Sequence, residues 1–344
     1  VGVNPRDRLD RPLGALRISV TDRCNLRCSY CMPEAAYRWL PAESLLDFDE
    51  IARLAKIFVG LGVSKLRITG GEPLLRPGLS RLVATLASIS GVNDLALTTN
   101  GTRLAQASWE LRSAGLRRLT VSLDTLRPDR MKSLTRHDRH DAVIAGLDAA
   151  VGAGFESIKL NTVVIRGFND DELADIVRFA VARGLEPRFI EYMDVGGATN
   201  WRERDVVSGR EILQRLSGEF GGAEPVGRPG DPAAPAERWR LGNGTVIGVI
   251  TSTTAPFCSD CDRARLTADG LWYRCLYAQE GFDLAGLLRG GASDEEISGT
   301  IAAHWRARQD RGAELRRAMP SRDILVPLSR LREDPRLEMH VRGG

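Results

Sequence analysis

Lys65-Leu66-Arg67-Ile68-Thr69-Gly70-Gly71-Glu72-Pro73 decides how the chain folds. Its first five residues alternate polar and apolar, the period of a strand. Two glycines and a Glu-Pro pair then break the strand. Upstream, residues 49–61 carry Ile51, Leu54, Ala55 and Phe58 at helical spacing, and Gly62 follows as a stop signal. Helix, glycine, strand and loop make one unit of a parallel α/β fold.

The unit recurs on both sides of this stretch. Strands are predicted at 16–20, 65–69, 94–98, 118–123, 157–164 and 187–192, with helices at 103–114, 142–153 and 170–183. Gly115, Gly154 and Gly184 each sit just past a helix. Six repeats are too few for a closed eightfold barrel. A partial (β/α)6 TIM-like barrel fits best, with a flat doubly wound sheet as the alternative. Polar residues keep step within the strands: Arg17 with Ser19, Arg67 with Thr69, Thr120 with Ser122, and Lys159 with Asn161. A strand covered on both faces should be almost continuously apolar. The recurring polar face therefore predicts a barrel with a polar, ligand-filled interior. Unusual motifs follow the strand ends, where parallel α/β folds bind ligands. They are the cysteines after the first strand, Gly70-Gly71-Glu72-Pro73, Thr99-Asn100-Gly101, Asp124 and Glu191-Tyr192-Met193-Asp194.

The six cysteines fall into two groups of three: Cys24, Cys28 and Cys31, then Cys258, Cys261 and Cys275. Disulfides need pairs. Structural zinc usually takes four protein ligands, and no histidine is close to the first group. A 4Fe-4S cluster on three thiolates keeps one iron open for a small molecule, which predicts an enzyme with two such clusters. At the second group, a zinc or Fe–S site completed by a distant residue is the alternative, His340 being the nearest C-terminal histidine. The two glycines at 70–71 let backbone approach a ligand, and Glu72 can accept from an ammonium group. Arg263 and Arg265 would point the same way on a strand. Together with Arg17, Arg67 and Lys159 they make five cations near one cavity, which predicts an anionic ligand such as a triphosphate.

Cys24-x3-Cys28-x2-Cys31 with Tyr30 inside it, followed by Gly-Gly-Glu-Pro, resembles the radical S-adenosylmethionine superfamily. Further motifs occur in order: Thr-Thr-Asn-Gly, Val-Ser-Leu-Asp, Glu-Tyr-Met-Asp-Val-Gly, Phe-Cys-x2-Cys-x-Arg-x-Arg-Leu and the closing Gly343-Gly344. They narrow the resemblance to the GTP 3′,8-cyclase family across nearly the whole chain. Leu26 and Ser29 stand where that family commonly has an aromatic and a threonine.

The resemblance implies radical conversion of GTP to (8S)-3′,8-cyclo-7,8-dihydroguanosine 5′-triphosphate, the first step of molybdenum-cofactor biosynthesis. It implies one 4Fe-4S cluster on Cys24, Cys28 and Cys31, with S-adenosylmethionine contacted by Tyr30, Gly71, Ser122 and Met193. It implies a second on Cys258, Cys261 and Cys275 that meets the substrate. GTP contacts would fall on Arg17, Arg67, Thr98, Lys159, Arg263, Ala264 and Arg265. Arg17, Arg263, Arg265, Gly343 and Gly344 would serve catalysis, the two glycines by entering the barrel. The implied partners are an electron donor such as flavodoxin or ferredoxin and a downstream cyclic pyranopterin monophosphate synthase. A different radical enzyme with an auxiliary cluster, such as a peptide maturase, and a non-catalytic Fe–S sensor are the rival classes.

The chain has 344 residues, is 43% hydrophobic and carries a net charge of +3, so a core is affordable and nucleic acid is not demanded. Only Lys56, Lys65, Lys132 and Lys159 are lysine. No stretch approaches a membrane span, and residues 1–12 lack an apolar signal core. The expectation is a cytoplasmic monomer or homodimer, where thiols stay reduced. A barrel domain over 1–195 and a C-terminal region over 196–344 are predicted. In the latter, a helix at 205–216 precedes a Gly/Pro/Ala-rich loop at 218–237. Strands at 238–240 and 245–250, a hairpin about 268–270 and helices at 283–288 and 294–308 come next, then a tail.

Overall fold

The computed structural model describes residues 4–320, 322 and 324–343. Six parallel strands form its centre: β1 (Ala15–Ser19), β2 (Lys65–Thr69), β3 (Asp94–Thr99), β4 (Arg118–Ser122), β5 (Ser157–Val164) and β6 (Glu186–Glu191). Six helices lie between them: α1 (Phe48–Gly60), α2 (Leu79–Ala87), α3 (Leu104–Ser113), α4 (Pro128–Thr135), α5 (His140–Gly152) and α6 (Leu173–Ala182). The alternation read in the sequence sorts the faces. Leu16, Ile18, Leu66, Ile68, Leu119, Val121 and Leu160 are fully buried with helix residues such as Leu54, Phe58, Leu82 and Ile176. Each such side chain contributes roughly 1.5–3 kcal/mol of transfer free energy. Asp47 starts α1 with a capping box, its carboxylate accepting from Glu50 N–H while the Glu50 carboxylate accepts from its own.

The partial barrel is borne out, but the C-terminal region does more than cover an open side. It adds strands to both edges. β9 (Val246–Ile250) pairs in parallel with β6, and β10 (Arg263–Leu266) pairs in parallel with β1. β8 (Glu237–Leu241) and β7 (Ala223–Gly227) continue the first edge, and β11 (Leu271–Tyr273) and β12 (Phe282–Asp283) the second. The sheet order is β12-β11-β10-β1-β2-β3-β4-β5-β6-β9-β8-β7.

Three sequence expectations need correcting here. The helix predicted at 205–216 is α7 (Gly209–Phe220), because Ser208 caps it through the Glu211 N–H. Gly221 and Gly222, at φ of 80° and 116°, then turn the chain back into β7, so the stretch at 218–237 is not all loop. Beyond α8 (Leu284–Arg289) and α9 (Asp294–Arg306) the tail holds two short helices, α10 (Gly312–Arg317) and α11 (Leu328–Glu333). Its later residues are packed, with Leu337 and Val341 buried and the Met339 N–H donating to Gly196 O at 2.8 Å. No helix among the described residues is long and apolar enough to cross a membrane.

Candidate active site

A cavity of about 340 Å³ opens at the C-terminal ends of the strands and runs down the barrel. All six cysteines line it, and all six are free thiols. The first three lie in the β1–α1 loop. Helix α4, which the sequence pattern missed, pins that loop: Arg27 N–H donates to Thr135 O at 2.9 Å and Ser29 N–H to Leu134 O at 3.0 Å. Met32 N–H closes the turn on Cys28 O at 2.7 Å. Gly71 passes so close to this loop that a Cβ would collide with the Arg23 carbonyl. The Glu72 carboxylate is not offered to a ligand. It is fully buried, accepting from Asn100 N–H at 2.7 Å, Thr99 Oγ1 at 2.8 Å and Leu74 N–H at 3.0 Å, and burial pushes it up to about 7. Its role is to fix Asn100, whose Nδ2 reaches Cys24 Sγ at 3.8 Å. Asp124, raised to about 6 by burial, holds the Tyr30 hydroxyl at 2.8 Å.

The second triad is held from far away in sequence. Arg11 donates to Cys258 O and Arg308 to Cys261 O, each at 2.8 Å. Both arginines are 2% exposed, and buried Asp7 pairs with Arg11 at 2.6 Å. Burial alone would push the Cys261 thiol up, but Arg263 and Arg308 outweigh it and bring it down to about 6. At the first triad burial wins: Cys24 rises to about 11, and Cys28 and Cys31 also rise.

These donor sets fit iron–sulfur clusters. Each triad comprises three free thiols lining a common cavity. Most of the sulfurs also have N–H groups aimed at them: Leu26 at Cys24, His340 at Cys31, Ala313 and Glu314 at Cys258, Arg263 at Cys261 and Tyr277 at Cys275. Such hydrogen bonds stabilise cluster thiolates. Among the described residues no three His, Cys, Asp or Glu side chains are arranged to hold a single metal ion. His340 does not complete the second triad. It packs on Tyr37 and Trp39 beside the first.

Below the triads the cavity is cationic. Arg17, Arg67, Arg188, Arg263 and Arg265 line it. The register sets Arg17 beside both Arg67 and Arg265 on neighbouring strands. Burial, then Arg265, Arg67 and Arg263, hold Arg17 well below the usual guanidinium range. Burial and Arg263 lower Arg265 to about 10. Gly343 sits in this field, its carbonyl accepting from Arg265 at 2.7 Å and Arg17 at 3.3 Å. Its φ of 66° and its contact with Thr69 both exclude a Cβ.

Tyr30, Gly71, Ser122 and Met193 line the cavity together with Arg17, Arg67, Thr98, Arg263 and Arg265. Lys159 stands one strand from cavity-lining Thr120, 8% exposed, and burial with Arg188 lowers it to about 7. Ala264 faces the other way, fully buried in the hydrophobic core. Gly344 lies outside the described residues. The sequence reading missed Arg188, Met339 and Tyr277 in the lining. Arg188 shares a face of β6 with Glu186 and Ile190 and alternates with buried Pro187 and Phe189, the same signal used on the other strands.

A family profile described as Radical SAM superfamily matches residues 18–180, and one described as Molybdenum Cofactor Synthesis C matches 185–314. The chain is 51% identical to GTP 3′,8-cyclase 1 of Mycobacterium tuberculosis, covering 99% of this chain and 96% of that protein. It belongs to the GTP 3′,8-cyclase family. GTP 3′,8-cyclase of Acidothermus cellulolyticus is 49% identical, covering 90% of this chain and 88% of that one. A crystal structure of Streptococcus suis SuiB bound to S-adenosylmethionine aligns with a TM-score of 0.57 at 15% identity, over 90% of this chain and 68% of that one. That likeness shows a shared fold between SuiB and this member of the GTP 3′,8-cyclase family.

Proposed function

We propose that the chain converts GTP to (8S)-3′,8-cyclo-7,8-dihydroguanosine 5′-triphosphate by radical chemistry, the first step of molybdenum-cofactor biosynthesis. The observation that carries this is one cavity joining two cysteine triads through a floor of arginines. Cys24, Cys28 and Cys31 would hold a 4Fe-4S cluster beside S-adenosylmethionine, and Cys258, Cys261 and Cys275 a second cluster. When bound, these groups supply one-electron cleavage of the sulfonium and abstraction of a substrate hydrogen.

Tyr30, Gly71, Ser122 and Met193 flank the first site, which has buried Asp124 hydrogen-bonded to Tyr30. Arg17, Arg67, Arg188, Arg263 and Arg265 would take the triphosphate, whose charge relieves their mutual repulsion. Leu26, Met32, Val163, Ile190 and Ile250 make the walls apolar and exclude water. Gly343 brings a carbonyl to two of the phosphate-facing arginines and would place them.

We assign the radical barrel with the first cluster to residues 1–195, and the second cluster, the GTP-binding Arg263 and Arg265 and the closing glycines to 196–344. The cytoplasm suits reduced thiols, a flavodoxin or ferredoxin suits the one-electron demand, and a cyclic pyranopterin monophosphate synthase would consume the product. The test is anaerobic incubation of the iron-loaded protein with S-adenosylmethionine, a reductant and GTP. The expected result is 5′-deoxyadenosine formed together with the cyclised nucleotide. Sulfonium cleavage with GTP recovered unchanged would overturn the reading.

A further inference from the structure

The Gly/Pro/Ala-rich segment between β7 and β8 has a place in the molecule. β7 and β8 lie at one end of the sheet order, and β10 to β12 at the other. Residues 228–236 cross from one to the other. Arg228 sits over the Phe257 ring at 5.4 Å and pairs with Asp260 at 3.5 Å, both in the second cysteine region. At the opposite end Ala236 is buried against Gly248 of β9, and Pro235 lines the cavity. Between these anchors lie Gly230, Pro232, Ala233 and Ala234, which offer little side chain to grip. The central tie is the Asp231 carboxylate on Lys65 Nζ at 2.8 Å, with both side chains about one-third exposed.

That tie is electrostatically odd. Lys65 shares a strand face with Arg67, two residues on, which lines the cationic floor. Among the described residues Arg17, Arg67, Arg263 and Arg265 have no carboxylate partner. Lys65 has two, Asp231 and, at 3.4 Å, buried Asp262. Asp262 precedes Arg263 on the chain and is fixed by its strand. Asp231 lies on the strap, outside any strand or helix.

We propose that Asp231 is an internal competitor for the terminal phosphate of a nucleoside triphosphate. It occupies Lys65 when the site is empty, and a triphosphate must displace it, loosening the strap, in order to bind. This rests on the reading of the cavity as a GTP site. Asp231 then lowers affinity selectively for ligands long enough to reach Lys65. It speeds their release from a cavity whose many cations would otherwise hold substrate and product too tightly.

The test is equilibrium and stopped-flow binding of GTP and GDP to the anaerobic, iron-loaded protein and its variants. Asp231→Asn is expected to bind GTP about tenfold more tightly, chiefly through slower dissociation. GDP binding should stay as in the wild type. In the Lys65→Met background the same substitution should do nothing, since the competition is gone. Hydrogen exchange at residues 228–236 should rise with GTP and not with GDP. Equal gains for GTP and GDP, or a gain that persists without Lys65, would overturn the proposal. Wild-type protein that binds neither nucleotide would bring down the GTP reading beneath it as well.

Discussion

The two cysteine triads share a cavity but are built by opposite means. The first is local: eight residues hold its three thiols, and a neighbouring helix pins them. Its surroundings are acidic, with Asp124, Glu72 and Glu338 near the sulfurs. The second is assembled from Arg11, residues 258–275 and Arg308, and its surroundings are basic. One site thus favours a cationic partner such as a sulfonium, the other an anionic one. The contrast teaches that charge, rather than thiol count, tells the two sites apart.

The sharpest way to break this comparison is to remove one thiol from each site. Cys28→Ala should abolish 5′-deoxyadenosine formation altogether. Cys275→Ala should abolish GTP conversion yet leave some uncoupled sulfonium cleavage, both read by chromatography of the quenched reaction. Equal loss of cleavage in the two variants would erase the division of labour.

Next comes the long-range support of the second triad. Arg11→Met removes the close partner of buried Asp7 and frees the Cys258 carbonyl, which should cost about 3–5 kcal/mol of stability. Iron analysis should find the second site depleted and the first filled. A variant that keeps both clusters and full denaturant resistance would show that the arginine network supports nothing.

The basic surroundings are probed by Arg263→Ala with Arg265→Ala. GTP affinity should fall about ten- to a hundredfold for each lost contact, while S-adenosylmethionine binding, measured by calorimetry, stays unchanged. The smallest effect is the control. Ser293→Ala removes the N-cap of α9 and should lower stability by about 1 kcal/mol, with both sites and both ligand affinities untouched.

Much of this was legible in the sequence because it is periodic or local. The alternation in Lys65–Thr69 announced a polar barrel interior, and each loop motif landed at a strand's end. Where Glu72 points was not legible. A carboxylate beside two glycines suits a ligand, but the Asn100 loop, remote in sequence, claims it. Strand β7 was hidden by Gly at its borders and Pro225 at its centre, and Ala264 by a motif that names three consecutive residues when a strand turns only alternate ones inward. The pairing of both sheet edges with C-terminal strands was equally hidden, since register across hundreds of residues leaves no local pattern.

That last pairing bears on how the molecule comes together. Residue 15 meets residue 263 across the β1–β10 ladder, so β1 has one neighbour early and the other only after most of the chain has been made. Contacts of such span form slowly. Meanwhile β1 is an open template on which a second nascent chain could dock. An in-register copy would set Arg17 against Arg17, and like charges placed opposite one another repel. The guanidinium at the centre of the finished floor also guards the half-built sheet against aggregation.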